Sequence, residues 1–88
     1  MGQVLIIDDD PDYAEMMSRY VAGLGHHART AGHLRAGRQA AFDYRPDVVL
    51  LDVNLPDGNG LDAIRDLLEI PSRPEVIVIT GEGSENGA

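Results

Sequence analysis

Val4-Leu5-Ile6-Ile7-Asp8-Asp9-Asp10 places three consecutive aspartates directly behind four aliphatic residues. A short, unbroken apolar run closed by polar residues is the pattern of a strand buried on both faces, as in a parallel sheet covered by helices. Two later stretches repeat it. Val48-Val49-Leu50-Leu51 ends on Asp52, and Val76-Ile77-Val78-Ile79 ends on Thr80. If the three strands are parallel neighbours, Asp8, Asp9, Asp52 and Thr80 meet at the carboxyl edge of one sheet, where open α/β sheets bind ligands. Carboxylates and a hydroxyl gathered there suit a hard cation and a phosphate together.

The intervening segments supply the helices. Asp10 is placed to cap a helix with Pro11 at its first position. Tyr13, Met16, Met17, Tyr20, Val21 and Leu24 then recur at helical spacing, and Met16, Met17 and Tyr20 are assigned to the core. Gly23 or Gly25 accommodates the exit, and His27 to Ala31 reads as a strand. A second helix is expected over about Leu34 to Phe42, closed by Tyr44-Arg45-Pro46. Pro56-Asp57-Gly58-Asn59-Gly60 is a dense turn signal. Leu61, Ile64, Leu67 and Leu68 predict a third helix, whose exit Pro71 and Pro74 bracket. The order β-α-β-α-β-α-β with short connections predicts a parallel sheet with right-handed crossovers. The chain then runs into Gly81-Glu82-Gly83-Ser84-Glu85-Asn86-Gly87-Ala88, which is polar and glycine-rich.

Composition narrows the function classes. Residues 1–88 make one small domain, and 43% apolar content is that of a globular chain. A formal charge of −8 argues against binding to nucleic acid or an anionic membrane by this domain alone. There is no cysteine, so thiolate metal sites and disulfides are excluded, and a cytoplasmic setting is expected. All 7 basic residues are arginine, so the chain has no lysine. His26 and His27 are adjacent on a strand and point to opposite faces, which excludes them as a metal pair. The segment from Asp52 to Asp62 fails as a calcium loop, because Pro56 and Asp57 occupy positions that need a ligand and a glycine.

With these residues in order, the chain resembles the receiver domains of response regulators in two-component signalling. Ile6-Ile7-Asp8-Asp9-Asp10 is similar to the family's first strand with its paired acids. Leu50-Leu51-Asp52-Val53-Asn54-Leu55-Pro56 resembles the phosphoacceptor strand and the following loop. Gly60-Leu61 resembles the start of the third helix, and Val78-Ile79-Thr80-Gly81 the strand bearing a phosphoryl-contacting hydroxyl. The resemblance implies a flavodoxin-like (CheY-like), doubly wound α/β fold with strand order 2-1-3-4. It also implies a further helix, a fifth strand and a fifth helix beyond Ala88, and a lysine before that strand. The expectation is therefore a receiver lacking its C-terminal third.

The resemblance assigns roles as well. Asp52 is the phosphoacceptor, served by a sensor histidine kinase or a phosphotransfer protein, and Thr80 bonds a phosphoryl oxygen. Mg²⁺ is held by Asp9, Asp52 and the backbone carbonyl of Asn54, with Asp8 acting through water. Asn54 and Glu82 occupy the two positions that tune phosphoryl lifetime. The chain is expected to be no enzyme beyond its own phosphorylation and dephosphorylation. An output domain is expected on the same full-length chain, with transcription regulation as its output. Two rivals stand beside this reading. One is a degenerate receiver acting only as an interaction module; the other is a haloacid-dehalogenase-like phosphatase with Asp8 as nucleophile, which lacks its required lysine here. An uncovered fourth strand further predicts self-association of a chain ending at Ala88.

Overall fold

A computed structural model describes residues 2–79 of the chain. The elements are β1 (Gln3–Ile7), α1 (Pro11–Gly23), β2 (His27–Ala31), α2 (Leu34–Tyr44), β3 (Val48–Asp52), β4 (Asn54–Leu55), β5 (Gly58–Asn59), a 3₁₀ turn (Gly60–Ala63), α3 (Ile64–Leu68) and β6 (Glu75–Ile79). The main sheet is parallel throughout, in the order β2-β1-β3-β6, so β6 is its fourth strand. This is the flavodoxin-like order expected from the sequence. The small β4–β5 hairpin, pairing Asn54 with Asn59 and Leu55 with Gly58, was not.

The alternation of side chains along each strand sorts the aliphatic runs into two cores. Val4 and Ile6 of β1 and Leu50 of β3 pack with Ala14 and Val21 of α1 on one face. Leu5, Ile7, Val49 and Leu51 pack with Leu34 and Ala41 of α2 and with Ala63, Leu67 and Ile70 on the other. The continuous apolar pattern of β1 and β3 thus reflects helices on both sides of the sheet. Helix α2 lies close enough to β1 that a Cβ at Gly37 would stand 2.7 Å from Ile7 Cδ1.

Caps set the helix ends. Asp10 Oδ1 accepts from the backbone of Asp12 at 3.0 Å and of Tyr13 at 3.3 Å, with Pro11 at the first helical position. Arg45 ends α2 in the left-handed region, at φ 55°. One sequence expectation needs correction. Met17 packs against the α1-side core, but Met16 and Tyr20 are 53% and 64% exposed. Each lies one residue, about 100° around the helix, from an inward-facing neighbour, Met17 or Val21.

Strand β6 departs from its central companions. Ile77 is 46% and Val78 38% exposed, whereas Leu50 and Leu51 of β3 are 9% and 0% exposed. Among the described residues its only ladder partner is β3. Its sequence is that of a covered strand, yet within residues 2–79 it forms the sheet's edge.

Candidate metal and phosphoacceptor site

Strand register brings the acids together. Ile7 lies level with Leu51 in the β1–β3 ladder, so both strands deliver an aspartate to the same sheet edge one residue later. Asp8 and Asp52 continue the alternation of Ile6 and Leu50, whose side chains pack on the α1 face. One carboxylate oxygen from each of Asp8, Asp9 and Asp52 lies within 4.8 Å of the others. A cleft of about 410 Å³, lined in part by Asp8, Asp9, Glu15, Ser18 and Thr30, opens beside them. The chemistry of the donors decides which ion would fit. Three hard oxygen donors without nitrogen or sulfur match Mg²⁺ or Ca²⁺ rather than a softer ion.

The three carboxylates are not equivalent. Asp8 is buried, at 8% exposure; its backbone N–H donates to the Ala31 carbonyl at 2.9 Å, and its Oδ1 accepts from the Asp10 N–H at 2.9 Å. Burial raises its pKa above the ordinary carboxylate value, the Asp10 hydrogen bond works against that, and the charges of Asp52, Asp9 and Asp10 add to the rise. Asp9 is exposed and Asp52 half-buried. Asp52 Oδ1 accepts a long bond of 3.4 Å from the Asn54 N–H. At 4.8 Å, two carboxylates repel by about 3.5 kcal/mol at an effective dielectric of ~20. Such crowding favours either a proton or a cation in their midst.

The segment behind Asp52 is held hard against it. Gly60 N–H donates to the Val53 carbonyl at 2.6 Å, and a Cβ at Gly60 would collide with the Asp52 carbonyl oxygen. Only glycine fits there. The hairpin between them carries Asn54 at its base and Asp57 at its tip. Asp57 Oδ1 accepts from the Leu34 N–H at 2.7 Å and Oδ2 from the Arg35 N–H at 3.0 Å, capping α2 from outside the helix. These two bonds hold its carboxyl below the usual carboxylate range. His33 Nδ1 accepts from the Ala36 N–H at 3.2 Å. A nitrogen that accepts there has no proton for Asp57 Oδ2, 3.6 Å away, so that contact adds little beside the two backbone bonds.

Of the residues singled out from sequence, the structure brings Asp8, Asp9 and Asp52 together and sets Asn54 directly behind Asp52. Thr80 and Glu82 lie outside the described residues. His26 lies at the opposite, amino end of the sheet, where its Nδ1 accepts from the Gly2 N–H at 2.9 Å. Sequence reasoning missed the α2 cap. His33 is not among the usual capping residues, and Asp57 is 23 positions from the helix it caps. The one signal available was a helix start without Ser, Thr, Asp or Asn before it.

Comparison with known proteins agrees with this geometry. A family model described as the response regulator receiver domain matches residues 4–88. The chain is 40% identical to the probable transcriptional regulatory protein TcrX of Mycobacterium tuberculosis, over 94% of this chain and 36% of that one. It is 31% identical to the chemotaxis protein CheY of Thermotoga maritima, over 97% of this chain and 72% of that one. It thus spans only about a third of the first relative's length. The response regulator TrrA of Thermotoga maritima, solved in complex with Mg²⁺-BeF, superposes with a TM-score of 0.85 at 22% identity, over 99% of this chain and 76% of that one. That likeness concerns the fold, and the sequence matches carry the assignment: the chain belongs to the response regulator receiver domain family.

Proposed function

We propose that this chain is the phosphoacceptor of a two-component response regulator, taking a phosphoryl group on Asp52 with Mg²⁺ as cofactor. The observation that carries the reading is the convergence of Asp8, Asp9 and Asp52 oxygens within 4.8 Å at the carboxyl edge of the sheet. Asp9, Asp52 and the Asn54 carbonyl would hold the ion, with Asp8 reached through water. A bound Mg²⁺ supplies positive charge that offsets the transferring phosphoryl group and the crowded carboxylates. A carboxylate oxygen of Asp52 forms the new bond to phosphorus as the bond to the donor's nitrogen or oxygen breaks. The leaving group keeps that electron pair. Because a carboxylate is ionised at neutral pH, no general base is required. Thr80, at the end of the run that includes β6, would hydrogen-bond a phosphoryl oxygen.

Asp52 suits the nucleophile's role better than Asp8. Asp8 is buried, and that burial shifts its pKa toward the protonated form. Asp52 is half-buried, and so more accessible to a phosphoryl donor than Asp8. The Mg²⁺-BeF complex of TrrA, a protein of the same fold, lends support to a cation and a phosphoryl mimic at this kind of site. The donor would be a sensor histidine kinase or a phosphotransfer protein, in the cytoplasm, and the response an output domain on the full-length chain that regulates transcription, as the name of TcrX suggests. The domain would catalyse at most its own phosphorylation and dephosphorylation. Calorimetric titration with beryllofluoride and Mg²⁺ tests the reading: wild type should bind and Asp52→Asn should not. Equal binding by both would reject it.

A further inference from the structure

We propose that Asp57 is a positioning residue for the cation site, acting through the β4–β5 hairpin; the inference rests on the proposed function above and adds a residue to its machinery. The hairpin is a short arm with two anchored ends. At the tip, the Asp57 carboxylate takes the first two backbone N–H groups of α2, at 2.7 and 3.0 Å. At the base, Asn54 and Asn59 pair across the arm, Asn54 N–H reaches Asp52 Oδ1, and Gly60 closes onto the Val53 carbonyl at 2.6 Å. Five residues therefore separate a helix terminus from the acceptor aspartate, and all of them lie in the hairpin or its immediate base.

The chemistry favours a firm latch. The leading N–H groups of a helix have no partner within it, and a carboxylate is their best acceptor because the helix dipole adds to the hydrogen bonds. Helix α2 is itself fixed by Leu34 and Ala41 in the core and by Gly37 against Ile7, with an exposed ion pair between Arg38 Nε and Asp66 Oδ2 at 3.1 Å alongside. The tip is thus tied to a rigid body rather than to another loop. A metal ligand from the hairpin base, the Asn54 carbonyl, is held in place to the extent that the arm cannot swing. Losing a group outside the ligand set that orients a ligand typically costs about 10–100-fold in metal affinity.

Asp57→Ala and Asp57→Asn separate this role from simple helix capping. The expected result for Asp57→Ala is faster amide hydrogen exchange at Leu34 and Arg35 and also at Gly60, at the far end of the arm. Its Mg²⁺ dissociation constant, by calorimetry, should rise by about tenfold. Asp57→Asn retains an oxygen that accepts one of the two bonds and should recover part of both effects; it also carries the comparison if the alanine variant does not fold. Changes confined to Leu34 and Arg35, with Gly60 exchange and Mg²⁺ affinity at wild-type values, would overturn the proposal and leave Asp57 a helix cap. A wild-type chain that binds no Mg²⁺ would instead reject the cation site, and the latch would then stand or fall on Gly60 exchange alone.

Discussion

Removing one charge from the acid cluster should make the metal-free chain more stable and the metal response weaker. The perturbation is Asp9→Asn, which keeps shape and deletes charge. Asp9 stands within 4.8 Å of an oxygen from each of Asp8 and Asp52. At that distance one pair repels by about 3.5 kcal/mol at a dielectric of ~20 and by about 0.9 kcal/mol in bulk water. Asp9 is exposed, so the lower figure governs, and relief of two pairs amounts to about 1–2 kcal/mol. For a domain of this size that is a rise in melting temperature on the order of 4–16 °C in chelator. Wild type should gain in its turn from the ion. Mg²⁺ at tenfold its dissociation constant adds about 1.4 kcal/mol, or roughly 6–11 °C. The variant, with one ligand neutralised, should gain much less at the same concentration. Scanning calorimetry of both proteins in chelator and in millimolar Mg²⁺ checks all four values. A wild-type melting temperature indifferent to Mg²⁺, or an Asp9→Asn variant less stable than wild type in chelator, would refute the reasoning.

Three other outcomes are expected. The raised pKa of Asp8 means that its contribution to stability is fully present below the unfolded carboxylate value, near 3.9, and is lost as pH rises through the folded value. In chelator Asp8→Asn should therefore exceed wild type in melting temperature at pH 7, by a margin that shrinks toward pH 4; a margin constant with pH would contradict this. Gly60→Ala must push a methyl into the Asp52 carbonyl oxygen, and a loss of about 1–3 kcal/mol in denaturant unfolding is expected; unchanged stability would mean the turn is not packed as described. Self-association of the 88-residue chain is proposed through β6, whose Ile77 and Val78 are 46% and 38% exposed on opposite faces. Ile77→Lys should shift light scattering toward monomer, and a wild type that is already monomeric at high concentration would defeat the proposal.

Much of the fold was legible because its signals are local and mutually consistent. Four-residue aliphatic runs at Val4–Ile7 and Val48–Leu51, each closed by aspartate, are the signature of a sheet covered on both faces, and the helix caps at Asp10 and Arg45 lie within a residue or two of the ends they close. The acid cluster followed, since parallel strands that end together must present what comes next at a common edge. What escaped was long-range. The hairpin at 54–59 is built from two-residue strands, too short to carry a periodic signal, and looked like a turn. Asp57's partners are backbone groups of a distant helix, which no side-chain pattern advertises. The exposure of Met16 and Tyr20 depends on which residues of an amphipathic stripe meet the sheet, and spacing alone leaves that open within one residue.

The central claim is that Asp52 is the phosphoacceptor, and locating the modified residue tests it most directly. The chain is incubated with acetyl phosphate and Mg²⁺, quenched, digested, and mapped by mass spectrometry, beside Asp52→Asn and Asp8→Asn variants. The account predicts one phosphoryl group per chain, on Asp52, lost in Asp52→Asn and dependent on Mg²⁺. Phosphoryl found on Asp8, and persisting when Asp52 is replaced, would contradict it and favour a phosphatase that uses the first-strand aspartate as nucleophile.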